Sequence, residues 1–281
     1  MSDPSAPVGA GFMRGDRRQP TYFLSHGGGP WPYLAGPIRA AHAKLERSLK
    51  GLFVDSSRLP HAVLMVTAHW EDAAFSVSSH PRPPMIYDYG NFPEHTYHVH
   101  YRAPGSPDLA QRVHALLHAG GIACRIDPER GFDHGTYCIM EPARPEADIP
   151  VVQLSIKAGH DPREHIAVGR LLAPMRDQGV VIIGSGLSYH NLRLTGPAAR
   201  GPSSNFDTWL NDTLVGHSGE DRLSRLEQWE IAPSARKAHP REDHLLPLMV
   251  AVGAAAEDLG DRIYHEDDFF GAVAASSFRF G

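Results

Sequence analysis

Three histidines in this sequence each follow a run of apolar residues that is typical of a buried strand: His26, His69 and His190. Imidazole is a frequent ligand of iron and zinc, and it can also accept and return a proton near neutral pH. In open α/β sheets, ligands bind beyond the carboxyl ends of the strands, so side chains far apart in sequence can converge there. Glycines beside His26 and His190 let backbone and substrate approach closely. The placement favours a shared metal site, although three separate structural histidines would give the same pattern.

The elements that must position these histidines can be predicted from hydrophobic patterning. Apolar runs predict buried strands at residues 21–24, 62–67, 151–156 and 179–184, and a short strand at 276–280. Helical periodicity and capping residues predict helices at 36–51, 107–120, 165–177 and 242–257, with Pro240 near the start of the last. Strands alternate with helices, and no linker rich in Pro or Ser divides the chain. We therefore expect one α/β domain over residues 21–281, with a mostly parallel or mixed sheet and helices on both faces.

Composition places the chain among ordinary globular proteins and argues against several classes of partner. Hydrophobic residues make up 42% of the 281, which is enough for a large core. The net charge of -5 is mild and the basic residues are scattered, which argues against nucleic acid as a partner. No apolar run is long enough for a membrane helix, and the two cysteines lack the spacing of a redox or zinc motif. Residues 1–20 lack the apolar stretch of a signal peptide, so we expect a mobile tail and a cytoplasmic location.

Six short motifs, spread over nearly the whole chain, occur in an order typical of one enzyme family. They are SHGGGP (25–30), TAHWE (67–71), FDHGTY (132–137), VVQLSI (151–156), GSGLSYHNLR (184–193) and HPREDHLLPL (239–248). Together with the loop IYDYGNFP…HYRAPGSP at 86–107, they resemble the DOPA-type extradiol dioxygenases. These belong to the class III extradiol ring-cleaving dioxygenases, which include the protocatechuate-cleaving enzymes. The resemblance implies a single α/β domain that opens the ring of a catecholic substrate with O2.

The resemblance also implies a metal site, in which His26, His69 and His244 are the ligands. Three ligands on one face of an octahedral iron(II) leave room for both catechol oxygens and for O2. Fe(II) is expected for activity, and Zn(II) can occupy the same site because imidazole suits both metals. The protocatechuate branch has a carboxylate at the third ligand position. Glu242 and Asp243 adjoin His244, so Glu242 stays open as an alternative ligand, and both acidic residues stay open as partners of a helix dipole.

Four further residues of the active site are implied by the same resemblance. His190 matches the acid/base histidine of the family, and an unbound imidazole with a pKa of about 6.5 can take a catechol proton and return it. His134 matches a pocket histidine that contacts substrate or oxygen. His100 and Tyr101 lie in the loop that is expected to line the substrate pocket.

Two other functions stay open at this level. A zinc hydrolase would use three neutral histidines to lower the pKa of a metal-bound water to about 7, with His190 as its general base. A non-catalytic binding protein could have the same fold, because fold does not determine function. The residues identify neither the catechol nor the position of cleavage relative to the diol, and self-association also stays open.

Overall fold

The computed structural model describes residues 18–56 and 59–281. Its strands are β1 (Thr21–Ser25), β2 (Ala62–Asp72), β3 (Phe75–Ser78), β4 (Cys124–Asp127), β5 (Val151–Lys157), β6 (Val180–Gly186), β7 (Gly260–Phe269) and β8 (Val273–Phe280). Its α-helices are α1 (Pro37–Ala41), α2 (Ala43–Lys50), α3 (Pro107–Ala119), α4 (His134–Ala143), α5 (Pro162–Leu172), α6 (Arg200–Val215), α7 (Gly219–Glu227), α8 (Ala235–Ala238) and α9 (Leu246–Gly253). Strands and helices thus alternate, as the α/β prediction requires.

The parallel centre of the sheet determines which strand ends meet. The eight strands lie in the order β4-β3-β5-β2-β6-β1-β8-β7. Strand β6 pairs in parallel with both β1 and β2, and β2 pairs in parallel with β5. The pairs β1/β8, β3/β5 and β7/β8 are antiparallel, which confirms the predicted mixed sheet. Because β1, β2 and β6 run in the same direction, the segments that follow them leave the sheet at one edge, and His26 and His190 lie in those segments.

His69 reaches the same edge by a different route. It lies within β2, which extends past its predicted end to Asp72. Thr67 pairs with Ser155, whereas Glu71 pairs with the next residue of β5, Ile156. Residues 68–70 are therefore an insertion in the ladder, and such bulges commonly redirect a side chain near an active site. The prediction that His69 follows the strand is corrected: it lies in a bulge of the strand.

Helices cover both faces of the sheet, as predicted. Side chains alternate between the faces along a strand. In β6, a Cβ on Gly184 would lie 2.4 Å from the carbonyl oxygen of Pro247 in α9. The next residue, Ser185, donates a hydrogen bond to the carbonyl oxygen of Gly135 in α4 at 2.6 Å. Helices α9 and α4 therefore lie on opposite faces, and a side chain at residue 184 would clash with the backbone of α9.

Three predicted helices have different bounds in the structure, and the one predicted at 165–177 is α5 (Pro162–Leu172), followed by a 3-10 helix at Ala173–Gln178. The segment 36–51 forms two helices, α1 and α2, which are separated at His42. The buried ring of His42 stacks on Trp31 and accepts a hydrogen bond from the Gly28 amide. The helix predicted at 242–257 is only α9, so the prediction of a start near Pro240 was wrong. Pro247 occupies the first turn of α9 instead, where its missing N–H costs no hydrogen bond. Strands β3, β4 and β7 have no counterpart in the sequence prediction.

Most of the predicted N-terminal tail, residues 1–20, lies outside the described residues, which begin at residue 18. The backbone of Gln19 exchanges two hydrogen bonds with Arg176, one to its carbonyl oxygen at 3.0 Å and one from its Nε at 2.7 Å. Across the described ranges, no helix combines the length and the apolar character needed to cross a membrane.

Arg222 stabilises the end of α9 from inside the core. The residue is fully buried. Its guanidinium donates hydrogen bonds at 2.7–3.3 Å to four backbone carbonyl oxygens, those of Leu214, Ala255, Ala256 and Asp258. These carbonyls belong to the end of α6 and to the turn after α9. One side chain therefore supplies donors to the C-terminal acceptors of two helices.

We predict that Arg222→Met lowers the free energy of unfolding by about 2–4 kcal/mol, because buried carbonyls lose their donor. Guanidinium-induced unfolding followed by circular dichroism measures the change. Arg225→Met is the matched control, because Arg225 lies in the same helix, is 38% exposed and forms only exposed ion pairs. Its loss should stay below about 1 kcal/mol. Equal losses in the two variants would contradict the role given to Arg222.

Candidate metal centre

Three histidines from distant segments converge at the carboxyl edge of the parallel strands. His26 follows β1, His69 lies in the bulge of β2, and His244 lies in the turn before α9. The Nε2 atom of His69 lies 3.3 Å from the Nε2 atoms of both His26 and His244. One nitrogen from each of the three rings falls within 4.8 Å of the others. The structure thus brings together the three residues predicted as metal ligands.

A carboxylate on the far side of two of these rings favours the tautomer in which Nε2, the nitrogen that faces the centre, is unprotonated. Nδ1 of His244 donates to Oδ2 of Asp243 at 2.6 Å. Nδ1 of His69 lies 3.3 Å from Oδ2 of Asp88. A ring that holds its proton on Nδ1 presents an unprotonated Nε2, which is the metal-binding form of histidine. In this tautomer, the Nε2 atoms of His69 and His244 face each other as two acceptors.

The spacing of these nitrogens fits a bound transition-metal ion. Two nitrogens that are each about 2.1 Å from a shared ion lie about 3.0–3.4 Å apart at octahedral to tetrahedral angles. The observed separation of 3.3 Å falls in that range. Two acceptors at this distance have no proton to share, so a cation between them would satisfy both. The donor set therefore fits iron or zinc.

Burial keeps the three rings neutral. It lowers the pKa of His26 and of His244 well below the usual value, and the neighbouring histidines lower both further. The pKa of His69 falls to about 3, mainly through burial and then through the proximity of His134. Neutral imidazole is the form that binds metal, so these rings release no proton from Nε2 when an ion binds.

His134 is positioned by a buried carboxylate that precedes it. Asp133 caps the N-terminus of α4, where its side chain accepts a hydrogen bond from the Thr136 amide. The same fully buried carboxylate accepts hydrogen bonds from three side chains at 2.6–2.9 Å: Thr67 of β2, Gln153 of β5 and Arg130. The start of α4 is therefore tied to two strands, and the ring of His134 lies with its centroid 3.9 Å from that of His69.

His190 lies beside the triad of His26, His69 and His244, at the end of the segment that follows β6. Its ring stacks on the ring of His244 with centroids 3.4 Å apart, and its Nδ1 lies 3.9 Å from Oδ2 of Asp243. Its backbone N–H donates to the carbonyl oxygen of Ala238 at 3.0 Å, which fixes the segment. Burial lowers the pKa of His190, although Asp243 opposes the shift. A neutral ring that is not part of the triad is able to accept a proton.

The two residues predicted to line the substrate pocket do not join this centre. His100 is exposed. Tyr101 is buried in the core, and its hydroxyl donates to the carbonyl oxygen of Arg144 at 2.9 Å. In the described ranges, no hydrogen bond, ion pair or ring contact connects either side chain to His26, His69 or His244. Their loop does contribute to the centre, through Asp88, which the sequence interpretation missed although it lies in the quoted motif IYDYGNFP.

The acidic neighbours of His244 have different roles from those considered for them. Glu242 lies away from the triad, and its carboxylate accepts a hydrogen bond from Nη1 of Arg236 at 2.6 Å. Asp243 bonds to the ring of His244 itself. Because α9 begins only at Leu246, neither residue lies in the first turn of a helix, as the alternative of a helix-dipole role required.

We predict that His244→Ala abolishes stoichiometric metal binding, because the triad loses one of its three converging nitrogens. Glu242→Gln is the matched control: it lies two residues away, and its partner is Arg236, so metal content should stay near that of the wild type. Elemental analysis of both purified variants after reconstitution with Fe(II) or Zn(II) gives the answer. Normal metal content in His244→Ala, or loss of metal in Glu242→Gln, would assign the third ligand to the carboxylate.

Comparisons with known proteins identify the family of the chain. Residues 21–281 match the family model described as the catalytic LigB subunit of aromatic ring-opening dioxygenase. The chain is 36% identical to the 4,5-DOPA dioxygenase extradiol of Beta vulgaris, over 94% of this chain and 97% of that protein. It is 37% identical to the dioxygenase tasH of Hapsidospora irregularis, over 90% of this chain and 82% of that one. The crystal structure of an uncharacterized protein from Escherichia coli K12 superposes with a TM-score of 0.76 at 29% identity, covering 94% of this chain and 100% of that chain. The chain therefore belongs to the family of the catalytic LigB subunit of aromatic ring-opening dioxygenases, and it is an extradiol ring-cleaving dioxygenase.

Proposed function

We propose that this dioxygenase cleaves its catecholic substrate beside the diol, with Fe(II) held by His26, His69 and His244. The observation that carries the proposal is the convergence of three neutral Nε2 atoms, with His134 and His190 at the same centre. Two of the similar proteins described above are named as dioxygenases, one of them for 4,5-DOPA. DOPA is therefore the first substrate to test.

The choice of Fe(II) rests on the reaction rather than on the ligands. Dioxygenases of this family depend on a metal, and three imidazoles suit either iron or zinc. Bound Fe(II) supplies adjacent positions for the catechol oxygens and O2, together with the redox activity that ring cleavage needs. Zinc can occupy the same site without supporting that chemistry, because it has no redox activity.

His190 is proposed as the group that moves the substrate proton. Its ring is neutral because it is buried, and it stacks against the ligand His244 at the edge of the centre. A neutral imidazole there can accept a proton from a catechol hydroxyl and return it to the product. A positioned acid/base group of this kind contributes roughly 10²–10⁴ in rate. His134, on the side of His69, is proposed to contact the substrate or O2.

Aromatic side chains of the 80–106 loop limit the access of water to the centre. Tyr89 lies with its ring centroid 5.9 Å from that of His134. Phe92 packs over Gly29, where a Cβ would lie 2.4 Å from the Phe92 ring. Gly29 also has a φ of +53°, a conformation that favours glycine. We propose that the loop lines the substrate pocket through Tyr89 and Phe92 rather than through His100 and Tyr101.

The alternative functions are not favoured. Membership of a ring-opening dioxygenase family over nearly the whole chain argues against both a zinc hydrolase and a binding protein without activity. A cytoplasmic location and self-association stay predictions.

We predict that Fe(II)-loaded protein consumes one O2 per catechol and forms a yellow semialdehyde. Oxygen-electrode and absorbance measurements on a panel of catechols that includes DOPA test this. Zinc-loaded protein serves as the control and should consume no oxygen. Hydrolysis of an ester or amide without oxygen uptake would instead support the zinc hydrolase.

We predict that His190→Gln keeps its metal but loses roughly 10²–10⁴ in kcat, because the proton acceptor is removed while the triad stays intact. Metal analysis and steady-state kinetics on the same preparation separate the two effects. His98→Gln is the control, because this exposed histidine pairs only with Glu94. Near-normal turnover would refute the acid/base role, and loss of metal would make His190 a ligand.

A further inference from the structure

A short pairing between two loops brings Asp88 to the metal centre. The Phe132 amide donates to the carbonyl oxygen of Pro84 at 2.8 Å, and the Ile86 amide donates to the carbonyl oxygen of Phe132 at 2.7 Å. A Cβ on Gly131 would lie 2.2 Å from the Pro84 carbonyl oxygen, so this approach requires glycine. The pairing lays the 80–106 loop beside the start of α4. Asp88 thereby reaches a histidine that is 46 positions away in the sequence.

The carboxylate of Asp88 contacts two histidines of the centre at once. Oδ1 accepts hydrogen bonds from the Nδ1 and the backbone N–H of His134, at 2.9 Å and 3.0 Å. Oδ2 lies 3.3 Å from Nδ1 of His69. The backbone of Asp88 faces solvent, but its side chain is only 20% exposed and points inward. Each oxygen thus faces the Nδ1 atom of a different ring.

We propose that Asp88 is a positioning residue that holds His69 and His134 in the same tautomer, with the proton on Nδ1 and a lone pair on Nε2. The inference rests on the proposed function, because the metal and the substrate of that function are the groups that the unprotonated Nε2 atoms would bind. On His69 that nitrogen faces the metal. On His134 it is left as an acceptor for substrate. One carboxylate therefore couples the pocket-wall loop, a metal ligand and a substrate-side histidine.

Only a carboxylate can serve both rings. Its two oxygens are both acceptors, so each can receive one Nδ1–H. An asparagine has a single acceptor oxygen, and its NH2 group would face an N–H donor. One of the two rings would then rotate or move its proton to Nε2. Asp243 also lies near two histidines, with its Oδ2 atom 2.6 Å from Nδ1 of His244 and 3.9 Å from Nδ1 of His190. The second distance is longer than a hydrogen bond.

Nitrogen-15 NMR of histidine-labelled, metal-free protein tests the tautomers directly and does not depend on activity. The signals of His69 and His134 are assigned from the spectra of His69→Gln and His134→Gln. In the wild type, both rings should carry the proton on Nδ1. In Asp88→Asn, at least one ring should move its proton to Nε2. Protonation on Nε2 in the wild type, or unchanged tautomers in Asp88→Asn, would overturn the proposal. The wild-type spectrum alone can overturn the proposal, so the test remains decisive if Asp88→Asn fails to fold.

Metal affinity and kinetics give an independent result. Zn(II) competition against a chelator should show a 10–100-fold weaker affinity for Asp88→Asn. The iron-loaded variant should lose kcat, and Asp88→Glu should recover part of both losses. Glu94→Gln is the matched control, because Glu94 lies in the same loop, is 86% exposed and pairs only with His98; it should behave as the wild type. If the wild type binds no metal, the proposed function fails, while the tautomer measurement still decides the role of Asp88.

Discussion

The Nε2 atoms of His69 and His244 lie 3.3 Å apart, and a carboxylate faces the Nδ1 atom on the far side of each ring, which favours the tautomer with an unprotonated Nε2. Two lone pairs at this distance repel each other unless a cation lies between them. The arrangement persists because both rings are held from behind, by Asp88 and Asp243, and because burial keeps them neutral. Much of the structure around the carboxyl edge of the sheet maintains this geometry.

Three different local structures of the backbone bring His26, His69 and His244 together. His26 simply follows a parallel strand, His69 is redirected by a bulge, and His244 lies in a turn that precedes a fully buried helix. The parallel pairing of β6 with β1 and β2 brings these structures to one edge. Gly184 lets α9 approach β6 closely, which places the turn that carries His244 over the strand ends. Packing of the helix and sheet is therefore a condition for the convergence of the three histidines.

The outer carboxylates also bear on the charge of the centre. Three neutral imidazoles would leave the two positive charges of a divalent metal ion uncompensated. Asp88 and Asp243 lie behind the rings of His69 and His244, at 3.3 Å and 2.6 Å from their Nδ1 atoms, and would supply negative charge without binding the ion. The carboxylate next to His244 thus contacts the ring of that histidine, whereas the protocatechuate branch has a carboxylate as the third ligand itself. Nδ1 of His26 has no such partner among the described residues.

Local patterns in the sequence were sufficient for the buried strands, the α/β class, and the histidines at the strand ends. Short continuous apolar runs that are rich in β-branched residues, such as 62–67 and 179–184, are typical of buried strands, and the ordered motifs identified the family. Strands β4 and β7 were missed because edge strands expose many of their side chains and lack such a run. The sequence could not show which way a side chain points when long-range contacts decide it. Asp88 turns inward because its loop pairs with residues 131–132, Tyr101 turns into the core towards Arg144, and Glu242 is drawn away by Arg236. These directions depend on residues distant in sequence, so only the tertiary structure determined them.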